Sequence, residues 1–207
     1  PEHLLGAFVV WRSHITDEKG EKMTDEYYMR RAIALAQKGE GQVSPNPLVG
    51  AVIVKDGKII GEGYHEHYGQ PHAERNALAN CIQSPEGATI YVTLEPCCHH
   101  GKQPPCTDAL LAAGIRRVVI GSKDPNPLVH GKGIRILREH GVEVTEHVLE
   151  KECDAENEVF FHYMQTKLPF VILKYAMTLD GKIATYTGAS RWVTCLLYTS
   201  PSPRDRG

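Results

Sequence analysis

The chain has 207 residues, of which 42% are hydrophobic, and its formal net charge is -2. This length allows one domain, or one domain and part of another, with a substantial apolar core. The charge gives no electrostatic reason to expect a nucleic acid or an anionic membrane as a partner, and no apolar run approaches the roughly 20 residues that cross a bilayer. Residues 1–22 lack a signal-peptide pattern. The six cysteines are unevenly clustered, which favours metal binding or catalysis over disulfides and makes the cytoplasm the expected location.

The first half of the chain alternates helices with strands. Thr24 suits the N-cap of a helix that ends at Gly39. The proline and glycine content of the next segment, GEGQVSPNPLVG, excludes regular structure. The segment AVIVKDGKIIGEGY predicts two strands joined by a tight turn at Asp56 and Gly57. A helix is expected to begin after Pro71 in PHAERNALANC, and the β-branched run ATIYVTLEP predicts a further strand.

The second half continues this alternation as far as residue 167. The predicted elements are a helix over 107–113, a strand over 117–120, a helix over 131–140, a strand near 142–145 and a final helix over 150–167. Helices that alternate with strands predict a three-layer α/β/α sandwich. After Pro169 the segment FVILKYAM predicts a new strand, so a second α/β unit is expected to begin near residue 168.

Both ends of the chain are expected to be foreign to the folded protein. Residues 1–22 show little coherent period, whereas Met23 is followed at once by a well-capped helix and is the expected start. The segment CLLYTSPSPRD, residues 195–205, matches one reading frame of a transposon adapter used to prepare sequencing libraries; a natural Ser/Pro-rich tail is the alternative. The expected organisation is a non-native segment over 1–22, a first α/β domain over 23–167, the truncated start of a second domain over 168–194 and an adapter-derived tail over 195–207.

The segment TLEPCCHHGKQPPC, residues 93–106, concentrates three cysteines, two histidines and a lysine. It could form a disulfide knot, a structural zinc clip or the floor of an active site. Zinc takes imidazole and thiolate ligands, and a catalytic zinc site uses three protein ligands and a water. His72, Cys97 and Cys106 supply that number, each at or near an expected helix N-terminus, where a thiolate is favoured.

Glu74 lies two residues beyond His72, where a carboxylate can carry protons to and from a water on the metal. A purely structural zinc clip gives no reason for this residue. The pattern H-x-E, followed later by P-C and a second cysteine, is the signature of zinc-dependent deaminases. The sequence departs from that signature in one respect, because eight residues, and not two, separate Cys97 from Cys106.

The expanded loop resembles that of the bifunctional riboflavin-biosynthesis deaminase/reductase family. The resemblance continues in order through DEYYMRRAIALAQKGEG, NPLVGAVIVKDG, GEGYHEHYG, PHAE, YVTLEPC, KDPNPLVHGKG and LPFVILKYAMTLDGKIATYTGASRWVT, and so covers about residues 25–194. It implies a cytidine-deaminase-like fold with a central mixed sheet and one Zn²⁺ per chain. It also implies that Cys97 is the ligand, because serine is more usual in the family at the position of Cys98.

The resemblance further implies a set of substrate contacts. A lysine offers a point charge to a phosphate, whereas asparagine and aspartate side chains can read amide and amino edges or sugar hydroxyls. Taken alone, an asparagine between two prolines and an aspartate before a proline are ordinary turn residues. The positions that match the family's substrate contacts are Asn46, His65, His99, Lys102, Asp124 and Asn126.

The implied reaction is hydrolytic deamination of 2,5-diamino-6-(5-phosphoribosylamino)pyrimidin-4(3H)-one to 5-amino-6-(5-phosphoribosylamino)uracil, with Glu74 as acid and base. The family commonly forms homo-oligomers, so a homo-oligomer that binds a small phosphorylated pyrimidine is expected. One alternative is another zinc deaminase, acting on cytidine, guanine or tRNA adenosine; the loop length and the lack of an evident basic, aromatic RNA surface argue against it. The other is a non-catalytic zinc-binding module, against which Glu74 argues.

The last native-looking stretch resembles the opening of the family's reductase domain, whose cofactor is NADPH. The matching positions are Lys174 in its first strand and Asp180 and Gly181 in the turn beyond. A dinucleotide-binding α/β domain needs a full sheet and a crevice, which about 25 residues cannot build. The expectation is therefore that this chain lacks reductase activity.

Overall fold

A computed structural model of the chain describes residues 23–127, 129–175, 177, 178 and 180–188. The ends predicted to be non-native, 1–22 and 195–207, lie outside the described residues. The chain divides into two compact units after Pro169, and the domain limits expected at 23–167 and 168–194 remain predictions. Within the described part, no helix has the length and apolar character that a membrane crossing requires.

Six helices and five strands alternate along the described part of the first unit. The helices are α1 (Asp25–Ala36), α2 (Ala73–Ala79), α3 (Cys106–Ala112), α4 (Lys132–Glu139), α5 (Glu150–Glu156) and α6 (Glu158–Thr166). The strands are β1 (Gly50–Lys55), β2 (Lys58–Tyr64), β3 (Thr89–Leu94), β4 (Arg117–Ser122) and β5 (Glu143–Thr145). A short 3₁₀ turn over Gln37–Gly39 follows α1.

The predicted start of α1 and the predicted hairpin are both confirmed. The Thr24 hydroxyl accepts a hydrogen bond from the backbone N–H of Tyr27 at 3.3 Å, which satisfies one of the free donors at the helix start. Asp56 and Gly57 both have positive φ, 51° and 73°, between the antiparallel strands β1 and β2. A two-residue turn of this kind matches the right-handed twist of the strands, which is why the Asp-Gly pair predicts it.

The five strands form one mixed sheet in the order β2-β1-β3-β4-β5. Strand β1 is antiparallel to both β2 and β3, whereas β3, β4 and β5 are parallel. Parallel neighbours need crossover connections, which α3 and α4 supply. Because β3 and β4 are parallel, the loops that follow them leave the sheet at the same edge, and these loops carry Cys97 and Asp124.

Apolar side chains alternate between the two faces of the sheet and bury a core on each side. One core joins β-strand residues such as Ile53, Ile90 and Ile120 to apolar residues of α2, α3 and α4. The other joins the alternate positions Val52 and Val119 to residues of α1 and to Cys153 of α5. The predicted three-layer α/β/α sandwich with a mixed central sheet is therefore confirmed.

Two predicted elements are wrong. The single helix expected over 150–167 is two helices, because the backbone at Asn157 leaves the helical region (φ −122°, ψ 22°) while its side chain bonds the backbone of Leu48. In the second unit, the described residues of FVILKYAM form no strand. An apolar, β-branched run predicts a strand only where a neighbouring strand is available to pair with it, and none is found among the described residues of that unit.

Candidate active site

The three predicted zinc ligands meet at one edge of the sheet. His72 is the N-cap residue of α2, Cys97 follows β3, and Cys106 is the first residue of α3. The His72 Nδ1 atom lies 3.4 Å from the Cys97 sulfur and 3.5 Å from the Cys106 sulfur. All three ligand atoms lie within 4.8 Å of one another.

This spacing fits a tetrahedral zinc ion. With the usual Zn–S and Zn–N bond lengths, a nitrogen and a sulfur at tetrahedral angles lie about 3.6 Å apart, close to the two separations observed here. Both cysteines are free thiols in the structure. Three protein ligands leave one tetrahedral position for a water or a substrate atom, which is the arrangement of catalytic zinc sites.

The start of α3 holds the two cysteines together. The Cys97 carbonyl oxygen accepts hydrogen bonds from the backbone N–H groups of Cys106 and Thr107, at 3.0 and 3.2 Å. The Cys106 N–H also lies 3.4 Å from the Cys97 sulfur. Cys97 is thus in a loop rather than in a helix, but it lies against the N-terminus of α3, in agreement with the predicted position.

The pKa values of the Cys97 and Cys106 thiols shift in opposite directions. Hydrogen bonds from Cys106 and from His72 lower the pKa of the Cys97 thiol in spite of its burial. The hydrogen bond to Cys97, together with burial, raises the pKa of the Cys106 thiol. The resting site therefore favours a thiolate at Cys97, and a bound cation deprotonates a coordinating thiol in addition.

Glu74 lies in the first turn of α2 and is only 3% exposed. Burial, followed by the charge of Cys97, raises the pKa of the Glu74 carboxyl to about 7. The nearby His72 and a hydrogen bond with Cys106 act in the opposite direction on this pKa. A carboxyl group beside the metal ligands can both accept and donate a proton.

A cavity of about 510 Å³ opens above this cluster. Such a volume suits a small molecule, since ligand pockets commonly measure about 300–1,000 Å³. His72, Glu74 and Cys97 lie in its wall. The same wall contains all six residues predicted to contact the substrate: Asn46, His65, His99, Lys102, Asp124 and Asn126.

Asn46 and His65 form an oriented pair. The His65 Nδ1 atom lies 3.1 Å from the carbonyl oxygen of Pro71, which can only accept, so Nδ1 carries the proton. The Nε2 atom is then an acceptor for the Asn46 Nδ2 amide, 3.1 Å away. Burial lowers the pKa of His65 and so favours this neutral form. The pair leaves the Asn46 carbonyl oxygen as an acceptor for an N–H group of a bound molecule.

Lys102 belongs to the loop after Cys97 and lies at another part of the cavity wall, beside the loop that precedes His72. Its ammonium group lies 4.0 Å from the centre of the Tyr68 ring, a distance at which the ring attracts a cation. The adjacent Gln103 donates a hydrogen bond to the Gly69 carbonyl oxygen at 3.0 Å. The loop after Cys97 and the loop before His72 therefore support each other where Lys102 offers its positive charge.

Asp124 and Asn126 belong to a tight turn after β4. The Asp124 carboxylate accepts the backbone N–H of Asn126 at 2.8 Å, and burial raises the Asp124 pKa to about 6. In the neighbouring loop, the buried Nδ1 atom of His99 has no hydrogen-bond partner among the described residues. Asp124 and His99 thus present polar atoms to a cavity ligand.

Several residues of the wall were not predicted from the sequence. Tyr68 and Gln103 belong to the two supporting loops, and Phe160, Tyr163 and Met164 come from α6. The last three recur at positions i, i+3 and i+4, so they share one face of the helix. That stripe is visible in the sequence, but such a stripe normally indicates a core-facing helix and does not identify a ligand wall.

The residues that match the reductase lie in the second unit, away from these elements in sequence. Lys174 is exposed and belongs to no helix or strand. Asp180 and Gly181 lie in a turn closed by the Thr178 N–H and the Lys182 carbonyl oxygen at 2.8 Å, with Gly181 at φ +79°. The predicted turn is therefore present, whereas the cofactor role of these three residues stays a prediction.

Comparisons with known proteins agree with this geometry. Residues 22–122 match the family model of the cytidine and deoxycytidylate deaminase zinc-binding region, and residues 169–201 match that of the RibD C-terminal domain. The riboflavin biosynthesis protein RibD of Actinobacillus pleuropneumoniae is 63% identical over 172 residues, which are 83% of this chain and 46% of that protein.

Two solved structures are also similar. A diaminohydroxyphosphoribosylaminopyrimidine deaminase/5-amino-6-(5-phosphoribosylamino)uracil reductase from Thermotoga maritima is 55% identical with a TM-score of 0.80, over 84% of this chain and 50% of that one. RibD of Acinetobacter baumannii is 48% identical with a TM-score of 0.78, over 83% and 48% of the two chains. The chain thus spans about half the length of the relatives it matches. Through its zinc-binding deaminase region and the segment that matches the RibD C-terminal domain, the chain is similar to the RibD proteins of riboflavin biosynthesis.

Proposed function

We propose that the chain removes the 2-amino group of 2,5-diamino-6-(5-phosphoribosylamino)pyrimidin-4(3H)-one by hydrolysis. The products are ammonia and 5-amino-6-(5-phosphoribosylamino)uracil. The observation that carries this proposal is the buried carboxyl group of Glu74 beside His72, Cys97 and Cys106 at the wall of a ligand-sized cavity. A structural metal site has no use for a buried acid at this place, whereas a hydrolytic deaminase needs one group that serves as base and then as acid.

We assign His72, Cys97 and Cys106 as the ligands that would hold one zinc ion. When bound, zinc lowers the pKa of a coordinated water towards about 7 and so supplies a nucleophile at neutral pH. Glu74 would accept a proton from the water as the water's oxygen bonds to the ring carbon, and would deliver that proton to the amino group as its C–N bond breaks and ammonia leaves. The burial of Glu74 suits both transfers, because it keeps the proton affinity of the carboxyl near neutral pH.

Polar groups around the cavity would orient the pyrimidine. The carbonyl oxygen of Asn46 accepts an N–H group of the ring or of its amino substituent, since its amide nitrogen is engaged by His65. Asp124, Asn126 and His99 offer further polar atoms in the same wall. Lys102 would meet the phosphate, because its ammonium is held beside Tyr68 and is not engaged in any ion pair among the described residues.

An ammonia-release assay tests this assignment directly. The purified, zinc-loaded chain would be given the phosphoribosylamino pyrimidine, its dephosphorylated form and cytidine in parallel. Turnover of the phosphorylated pyrimidine with little or none of cytidine is the expected result. Preference for cytidine would assign the site to another zinc deaminase, and stoichiometric zinc without turnover of any of the three would indicate a non-catalytic zinc module.

The remaining predicted properties are also proposals. Homo-oligomer formation, which size-exclusion chromatography with light scattering would measure, and a cytoplasmic location both derive from the family and from the cysteine content. NADPH is proposed as the cofactor of the family's reductase domain, to which Lys174, Asp180 and Gly181 correspond. Oxidation of NADPH in the presence of the deaminated product would reveal reductase activity, which is expected to be absent from this chain.

A further inference from the structure

Asn157 is a buried polar residue, 4% exposed, at the break between α5 and α6. Its Oδ1 atom accepts the backbone N–H of Leu48 at 2.7 Å, and its Nδ2 atom donates to the Leu48 carbonyl oxygen at 2.8 Å. One side-chain amide thus satisfies both backbone groups of a single residue, as a neighbouring β-strand would. Buried polar groups are costly unless they are paired in this way.

The two ends of this contact belong to different walls of the cavity. Leu48 lies two residues beyond Asn46, in the irregular segment 40–49 that precedes β1. This segment is called the Asn46 loop below. On the other side, Asn157 immediately precedes α6, whose Phe160, Tyr163 and Met164 form part of the cavity wall. The Asn157 amide therefore links the Asn46 loop directly to the start of α6.

The residues of α6 are half-buried or exposed, and none of them is fully buried. The Asn46 loop, by contrast, has other anchors: the Asn46 N–H bonds the Val43 carbonyl oxygen at 2.8 Å, and the His65 N–H bonds that of Val49 at 2.9 Å. Loss of the Asn157 amide should therefore release α6 from the loop without unfolding the loop itself.

We infer that Asn157 is a positioning residue that sets the distance between the Asn46 loop and the aromatic wall of α6, and so sets the fit of the substrate in the cavity. This inference rests on the proposed deaminase function. Asn157 does not line the cavity and touches none of the zinc ligands, so its effect passes through Leu48 and α6. Substrate binding should depend on it, whereas zinc content should not.

The test compares Asn157→Ala, Asn157→Asp and the control Cys153→Ala. Cys153 is 1% exposed, lies one turn earlier in α5, and packs against Gly121 of β4 and the core between the sheet and α1. KM and kcat for the phosphoribosylamino pyrimidine, zinc content, thermal stability and backbone hydrogen exchange of residues 44–50 would be measured. Asn157→Asp retains the acceptor for the Leu48 N–H but loses the donor, and it serves as the second variant where the alanine variant does not fold.

For Asn157→Ala, the expected result is a rise in KM of about tenfold, comparable to the loss of one neutral hydrogen bond in the complex. Zinc content should stay at the wild-type level, and hydrogen exchange at Leu48 should be faster. Asn157→Asp should fall between the alanine variant and the wild type. Cys153→Ala should lower thermal stability but leave KM and the exchange of residues 44–50 unchanged.

Two outcomes overturn the inference. One is an unchanged KM in both Asn157 variants when the wild type is active, even if both are less stable, because the residue would then be merely structural. The other is an unchanged exchange rate at Leu48, which would show that the Asn157 amide does not hold the loop. An inactive wild type refutes the proposed function instead, and the exchange measurement then decides the inference alone.

Discussion

Glu95 connects the zinc-ligand loop to α4. It is 3% exposed and lies two residues before Cys97. Its Oε2 atom accepts the backbone N–H of Gly131 at 2.9 Å, and its Oε1 atom accepts those of Gly133 at 3.1 Å and Ile134 at 3.4 Å. These are free donors at the start of a helix, so the carboxylate caps α4. The approach is close: a β-carbon on Gly133 would lie 2.3 Å from the Pro96 carbonyl oxygen.

The substitution Glu95→Gln removes the charge and keeps the shape. If the glutamine carbonyl oxygen takes the place of Oε1, the bonds to Gly133 and Ile134 survive as neutral hydrogen bonds. The amide NH₂ then faces the Gly131 N–H, so one charge-assisted bond is lost and two donors oppose each other. Hydrogen bonds to charged groups contribute about 1.5–3 kcal/mol, and an unpaired buried donor costs about 1–3 kcal/mol. The expected loss in the free energy of unfolding is therefore about 2.5–6 kcal/mol.

Urea unfolding at neutral pH would measure this loss, with wild type and variant at the same free zinc concentration, because a bound ligand adds its own stabilisation. The exposed Glu40 provides a matched control, since Glu40→Gln removes a carboxylate that is exposed to solvent and should change the unfolding free energy by less than about 0.5 kcal/mol. A Glu95→Gln value as small as that of the control would refute the capping role and the reasoning from the three N–H contacts.

Four further predictions concern the proposed site. Glu74→Gln should keep zinc and fold but lower kcat by about 10²- to 10⁴-fold; near-normal ammonia release would remove Glu74 from the proton path. Cys97→Ser should lose most of the zinc measured by atomic absorption, whereas Cys98→Ser should keep it, because Cys98 is not in the cluster of ligand atoms; equal losses would contradict the ligand set. Lys102→Ala should raise KM for the phosphorylated pyrimidine and not for its dephosphorylated form, and an equal effect on both would separate Lys102 from the phosphate. Burial raises the Asp124 pKa to about 6, so the folded state holds this proton more tightly than the unfolded state, and stability should fall as the pH rises from about 4 to about 6. Asp124→Asn should flatten that fall in urea titrations, and an unaltered slope would show that Asp124 does not cause it.

The elements predicted best are those that short-range chemistry decides. Thr24 can cap a helix because its hydroxyl reaches a backbone N–H three residues later, whatever the rest of the chain does. Asp56 and Gly57 tolerate positive φ, and the apolar, β-branched residues on either side favour two strands that pair across this turn. The candidate zinc ligands could also be predicted from the sequence. Thiolate, imidazole and a nearby carboxylate form a donor set whose chemistry follows from the residue types and their order.

The helix break at Asn157 could not be predicted in this way. Asparagine is a tolerable helix residue locally, and nothing within four residues of it requires a break. The decisive partner, Leu48, is 109 residues away in sequence. The same holds for the segment after Pro169, where local β propensity predicted a strand that does not form among the described residues.

The sequence by itself determined the alternation of helices and strands, the hairpin, the candidate ligands His72, Cys97 and Cys106, and the nearby acid Glu74. Only the tertiary structure decided that β3 and β4 are adjacent and parallel, so that Cys97 and Asp124 emerge at the same edge, and that α6 adds Phe160 to the cavity wall. The physical reason is the range of the interactions. Caps, turns and ligand chemistry act over a few residues, whereas strand order and cavity walls depend on contacts between residues far apart in the chain.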